Sequence, residues 1–311
     1  MEKLALLLLL KKRKAMRNRQ FNQTFVIDHL YYLSFFSFSD YQFKCLFRMT
    51  QMQFQSLYQI LLRFNHQKPV SKLELLIYLY RMAHGNGFRA VGSFFKVCAS
   101  FANTSFWKVV ELIVKNKQYF IHYPSQEEFD DIAQGFAVKN GRYDIIGAMD
   151  GTFIRINQPS EHGSFYYNRK GFYAIHMLAV CDWSLRFWYV QARDPGNTHD
   201  SIAFLQGSLY ADIMNNEFNL NHDGQMFKLL TDSAFRRQPF IIKTNATDFH
   251  RRRMFLSQHK DLSNESARTC IECIFGVMVN RWQIFGKRII DTTDRVKWLV
   301  VSGCCIHNYL Q

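Results

Sequence analysis

The chain has 311 residues, 48% of them hydrophobic and 16% aromatic, with only 5 prolines. That composition excludes a disordered or low-complexity chain, and the length exceeds what one core usually takes. Lys and Arg outnumber Asp and Glu by 39 to 25, a net charge of +14 that favours a polyanionic partner such as nucleic acid and carries no information about fold. Seven cysteines, an odd number in a long chain, argue against a disulfide scaffold and for a reducing intracellular compartment.

Met1-Glu2-Lys3 and the apolar run from Leu4 to Leu10 imitate a signal peptide. The run is too short to span a bilayer, Lys11-Lys12-Arg13-Lys14 follows at once, and no small-x-small cleavage site appears. Residues 1–39 therefore read as a basic tail with no membrane role. Its basic cluster, with Arg17 and Arg19, suits either nuclear import and DNA contact or a solvated charge run. Residues 40–122 have helical spacing. Thr50-x-x-Gln53 and Ser71-x-x-Glu74 are capping boxes opening helices, the second of which stops near Gly85 and Gly87. A third helix spans Phe88 to Val97. A connector holding Ser100, Asn103 and Thr104 follows, then a fourth helix with Phe106, Val109, Val110, Ile113 and Val114. Two short helices about a small-residue connector permit a helix-turn-helix presenting Asn103, Thr104, Ser105 and Lys108, and plain bundle packing gives the same spacing. Residues 123–142, with Pro124, Glu127-Glu128, Asp130-Asp131 and Gly141, read as a linker with a short helix.

From residue 143 to 311 the pattern turns to strands. Ile145, Ile146, Ala148 and Met149 lead to Asp150-Gly151-Thr152, after which Phe153, Ile154 and Ile156 resume the alternation. The period predicts a strand, with Gly151 a bulge or a close backbone approach. An aspartate inside a buried strand is costly unless paired or holding a metal, and a capped turn between two strands explains the same residues. Tyr173–Cys181 and Leu185–Ala192, joined at Asp182-Trp183-Ser184, complete a three-stranded meander. A loop leads to a helix from about Ser201. A fourth strand, Met226–Thr231, ends at Asp232, and a helix over 264–281 places Ala267, Ile271, Phe275 and Met278 on one face. Three antiparallel strands, a helix, another strand and further helices make an α/β order compatible with a ribonuclease-H-like mixed sheet, preceded by an all-α region. Cys270 and Cys273, with Cys304, Cys305 and His307, have the composition of a zinc site. Cys270-x-x-Cys273 lies in a helical pattern without knuckle turn residues, so buried thiols are the preferred reading.

Asp150, Asp200, Asp232 and Glu272 stand at strand ends or on helices that can converge. Oxygen ligands without His or Cys suit Mg²⁺ or Mn²⁺, and two such ions about 3.5–4 Å apart clamp a phosphodiester. Each acid has a plainer role open to it. Asp200 can cap the helix at Ser201, Asp232 can cap a turn, and Glu272 can pair with Arg268 on the same helix face.

Several motifs in this order resemble the catalytic domain of PIF/Harbinger transposases and the nucleases derived from them. They are Met149-Asp150-Gly151-Thr152, Tyr167-Asn168-Arg169-Lys170-Gly171, Pro195-Gly196-x-x-His199-Asp200-Ser201, Thr231-Asp232-Ser233-Ala234-Phe235, and Ala267-Arg268-x-x-Ile271-Glu272. The resemblance covers about residues 145–309 and, more weakly, 40–120. It implies a ribonuclease-H-like fold, an acid set of Asp150, Asp232 and Glu272 with Asp200 as a further metal ligand, and Mg²⁺- or Mn²⁺-dependent DNA cleavage. It also implies nuclear location, with the cytoplasm as a second site, a Myb-like DNA-binding partner, and homo-oligomers. Arg169, Lys170, Arg236, Arg237, Arg251, Arg252 and Arg253 are expected to contact phosphates. The competing expectation is a domesticated, non-catalytic nuclear protein that binds DNA or assembles a complex. The chain departs from the family pattern at Ser233-Ala234-Phe235, where a second glycine is usual, and at Glu265-Ser266.

Overall fold

The computed structural model describes residues 31–244 and 264–311. The basic cluster Lys11–Lys14 and the arginines Arg251, Arg252 and Arg253 lie outside the described residues. The chain divides into two compact units at Val109/Val110.

The first unit is helical: α1 (Asp40–Phe47), α2 (Gln51–Phe64), α3 (Lys72–His84), α4 (Phe88–Phe95) and the start of α5 (Ala99–Lys115). Reciprocal capping boxes open the first three, at Ser39/Gln42, Thr50/Gln53 and Ser71/Glu74. Each satisfies two backbone donors that a helix start would otherwise leave unpaired. Phe43, Phe47, Phe54 and Phe95 are fully buried in this unit. Between α4 and α5 the axis bends by 101°. Lys96 takes a left-handed conformation there, and a side chain at Gly92 would collide with the Val97 carbonyl. Ser100, Asn103 and Thr104, expected in a connector, lie inside α5, where Thr104 Oγ1 bonds back to the Ser100 carbonyl. Of the residues expected to face outward, Ser105 is buried and Lys108 is bound by Glu74 at 2.9 Å.

The second unit is built on a mixed sheet. Its described residues form five strands in the order β3-β2-β1-β4-β5: β1 (Ile145–Arg155), β2 (Ala174–Cys181), β3 (Phe187–Pro195), β4 (Lys228–Thr231) and β5 (Ile241–Lys243). β1 pairs antiparallel with β2 and parallel with β4, so the expected meander is extended by two parallel strands. This is a ribonuclease-H-like sheet. Its longer helices among the described residues, after the end of α5, are α6 (Phe129–Asn140), α7 (Asp200–Leu205), α8 (Ser208–Met214), α9 (Asn264–Arg281) and α10 (Thr293–Tyr309). The segment expected to be a linker is part of this unit, with Phe129 and Ala133 of α6 packed in the sheet's core beside Ile146, Met149 and Trp188.

Successive side chains of a strand face opposite sides of a sheet. Ala148 pairs with Cys181, whose Sγ lies 3.6 Å from Cys270 Sγ on α9. Ala148, and two residues on Asp150, therefore face α9, while Met149 and Gly151 face α6 and α7. Cys270, Cys304 and Cys305 are buried, but Cys273 is exposed, so the preferred reading of buried thiols fails at that position. No three ligand-type side chains among the described residues gather into a metal-holding group.

The start of the outer strand β3 is tied to α10 by a side chain. Asn308 of α10 donates to the carbonyls of Phe120 and Phe187 and accepts from the Phe187 amide. Removing it leaves three backbone groups of the buried residues Phe120 and Phe187 without that partner. Asn308→Ala is expected to lower unfolding stability by about 2–4 kcal/mol, measured by urea denaturation.

Candidate active site

Asp150 sits in the central strand with its Oδ1 accepting from the Gly151 amide at 2.8 Å and its Oδ2 3.6 Å from Arg268 on α9. Burial pushes its pKa up to about 6, and the charges of Asp232 and Asp200 add to this against the amide bond and Arg268. Much of an aspartate's usual preference for ionisation is lost, chiefly because burial strips water from the charged form, with the two like charges adding to it.

Asp232 directly follows β4, the strand beside β1. Its Oδ1 accepts from the Ala234 amide at 2.9 Å, so the carboxylate shapes the turn as well as facing the centre. Ala234 is not among the residues with positive φ, and the turn therefore has no need of the glycine usual in the related pattern. Glu272, in the first half of α9, is bound by Arg268 at 2.7 Å, with half its side chain still exposed. Arg268 thus stands between Asp150 and Glu272 as their shared counter-charge.

Asp200, expected as a further metal ligand, is paired with a histidine. Its Oδ1 is 2.6 Å from His176 Nε2, and the pair lies on the α7 side of β1, opposite the Asp150 carboxylate. A side chain at Gly151 would overlap both Asp200 Oδ1 and His176 Nε2. Gly151 is therefore a close approach of strand to acid pair. Burial acts to raise the Asp200 pKa, but the hydrogen bond and charge of His176, with Arg169 and His199, hold it below the usual carboxylate value.

Of the expected phosphate contacts, Arg169, Lys170, Arg236 and Arg237 are exposed. Arg169 lies in the field of Asp200, and the Arg236 amide donates to Ser201 Oγ at 3.2 Å, which ties the β4–β5 loop to the start of α7. Asn168 organises the Arg169-Lys170 turn by accepting from the Lys170 and Phe172 amides. Nothing in the sequence singles out His176. A lone histidine in the apolar run Ala174–Cys181 carries no local signal, and its partner lies 24 residues on.

The donor chemistry at Asp150, Asp232 and Glu272 fits a hard divalent cation: oxygen donors only, negative charge in excess, and one acid with a weakened grip on its own charge. The three acids stand apart here, and Glu272 would have to turn from Arg268 to join the others.

Residues 149–308 match the family model described as DDE superfamily endonuclease. The chain is 22% identical over 293 residues to the protein antagonist of like heterochromatin protein 1 of Arabidopsis thaliana, covering 87% of this chain and 73% of that protein. It is also 22% identical over 243 residues to an ALP1-like protein of the same plant, covering 75% of this chain and 58% of that protein. No solved structure matches significantly.

Two outcomes are expected of variants here. Asp150 binds its proton more tightly in the folded chain than in the unfolded one, so its contribution to stability is favourable below about pH 4 and is lost as pH rises through about 6. Asp150→Asn is expected to be more stable than wild type by about 2–3 kcal/mol at pH 7.5 without metal, the gain vanishing near pH 4, by thermal or urea melts across pH. Gly151→Ala is expected to lose about 2–4 kcal/mol in the same melts, because the Asp200–His176 pair fills the space its methyl needs.

Proposed function

The chain belongs to the DDE superfamily endonuclease family, and we propose that it is a divalent-metal-dependent nuclease that hydrolyses DNA phosphodiester bonds, with Asp150, Asp232 and Glu272 as its metal-holding acids. The observation that carries this reading is the state of Asp150: desolvated, facing α9, and repelled by Asp232 and Asp200. A fold that served only itself would have little reason to keep that charge in its central strand.

Mg²⁺ or Mn²⁺ held among these acids would supply Lewis acidity to the attacking water and the leaving oxygen. The chain's own part is positioning. The Gly151 amide orients Asp150, and Arg268 offsets part of the charge of Asp150 and Glu272 in the absence of a cation. Arg169, Lys170, Arg236 and Arg237 offer exposed charge for the flanking phosphates, and Arg251, Arg252 and Arg253 are assigned the same task on the sequence alone. The net charge of +14 supports DNA as the partner. Nuclear location and a Myb-like DNA-binding partner belong to the same reading.

A second reading, a domesticated protein that binds DNA or assembles a complex without cutting, is favoured by the engagement of Glu272 with Arg268. The name of the first relative, an antagonist of another protein, also describes a role other than cleavage for that relative.

Incubation of supercoiled DNA with wild type, Asp150→Ala and Glu272→Ala in Mg²⁺ or Mn²⁺ separates the two. The nuclease reading predicts nicking by wild type and at least about a hundredfold less by either variant. Equal cleavage by all three removes the acid assignment, and salt-sensitive binding without cleavage by wild type supports the second reading. Arg236→Ala/Arg237→Ala is expected to lower the slope of log affinity against log salt by about 2, one for each phosphate left without its arginine.

A further inference from the structure

His176 is fully buried in β2, where it pairs in register with Phe153 of β1. The two rings lie 5.6 Å apart, which fixes the imidazole's plane. Because Nε2 faces a carboxylate at 2.6 Å, it carries the proton and donates to Asp200 Oδ1. Nδ1 has no hydrogen-bond partner among the described residues, so the bond to Asp200 is the polar contact that holds the ring to the acid. Asp200 begins α7 and is itself buried. Gly151 lies against both groups with no room for a side chain. On the other side of the same backbone, the Gly151 amide holds Asp150 Oδ1. The contacts run without a gap from His176 through Asp200 and Gly151 to Asp150.

We infer that His176 is a positioning residue of the acidic centre: by clamping Asp200 beneath Gly151, it holds the backbone from which Asp150 presents its carboxylate. Asp200 then serves from behind the strand and does not touch the cation. This deepens the nuclease reading and rests on it. A ligand's outer support is worth as much in metal affinity as in activity, so affinity is the direct readout.

Mn²⁺ binding to the full chain, followed by the electron paramagnetic resonance signal of the free ion, is compared in wild type, His176→Gln, His176→Phe, Asp200→Asn and Asp150→Asn, with circular dichroism as the folding control. Gln keeps an N–H near the position of Nε2, Phe keeps the ring and loses the donor, and Asn at 200 keeps an oxygen to accept the bond. The expected result is a Kd weakened about 10–100-fold by His176→Phe, restored to within about fivefold of wild type by His176→Gln, and weakened only modestly by Asp200→Asn. A His176→Phe protein that binds like wild type overturns the positioning role. Loss of binding in Asp200→Asn as complete as in Asp150→Asn overturns it too, since Asp200 is then a ligand. If His176→Phe does not fold, the Asp200→Asn result decides alone, modest weakening supporting the inference and full loss overturning it. Wild type that binds no Mn²⁺ sinks the metal reading itself, and this inference with it, an outcome distinct from the others.

Discussion

Burying a carboxylate near two others works against folding, and the second unit is arranged around that cost at Asp150. The central strand leaves the residue only partly in reach of solvent, so the fold surrounds it with specific partners. The Gly151 amide satisfies one oxygen, and Arg268 approaches the other at 3.6 Å. These partners are incomplete compensation, since the proton still returns near pH 6. The remaining negative potential is what a dication would answer, and the same potential makes the cation-free protein less stable than its core would allow.

The sheet keeps two kinds of neighbour apart. On the α9 side, Asp150 meets Arg268 and, through it, Glu272, and this face continues into a sulfur-rich packing of Cys181, Cys270, Met278 and Cys304. On the α7 side lie His176, Asp200 and the aromatic core around Phe129, Trp188 and Phe204. β1 is the partition, and at Gly151 the Asp200–His176 pair comes up close against its backbone. A larger residue there would push the Asp200–His176 pair away from the backbone that presents Asp150.

Much of this is legible in the sequence because the signals are local. Capping boxes at Thr50 and Ser71, the alternation through β1 to β3, and the helical face over 264–281 each depend on residues a few positions apart. The resemblance to Harbinger-type transposases is borne out by the endonuclease family match. What escapes a reading of the sequence depends on distant partners. The acidic run through Asp131 suggests a linker, yet Phe129, Ala133 and Phe136 at helical spacing carry that helix into the core. Polar residues at 100–104 suggest a connector, but the chain turns earlier, at Lys96. Nothing near Asp200 in sequence names His176, so the pairing of the two is not legible there. Cys273 has the look of a buried thiol because its neighbour Cys270 is one.

The central claim is that Asp150, Asp232 and Glu272 form a cation centre on the α9 side of β1. Anomalous scattering from a crystal grown with Mn²⁺ tests it most directly. The account predicts one or two Mn²⁺ peaks coordinated by these acids, with Glu272 released from Arg268 and Asp200 still bound to His176. A crystal saturated with Mn²⁺ that shows no peak there, with Arg268 still bridging Asp150 and Glu272, would contradict it.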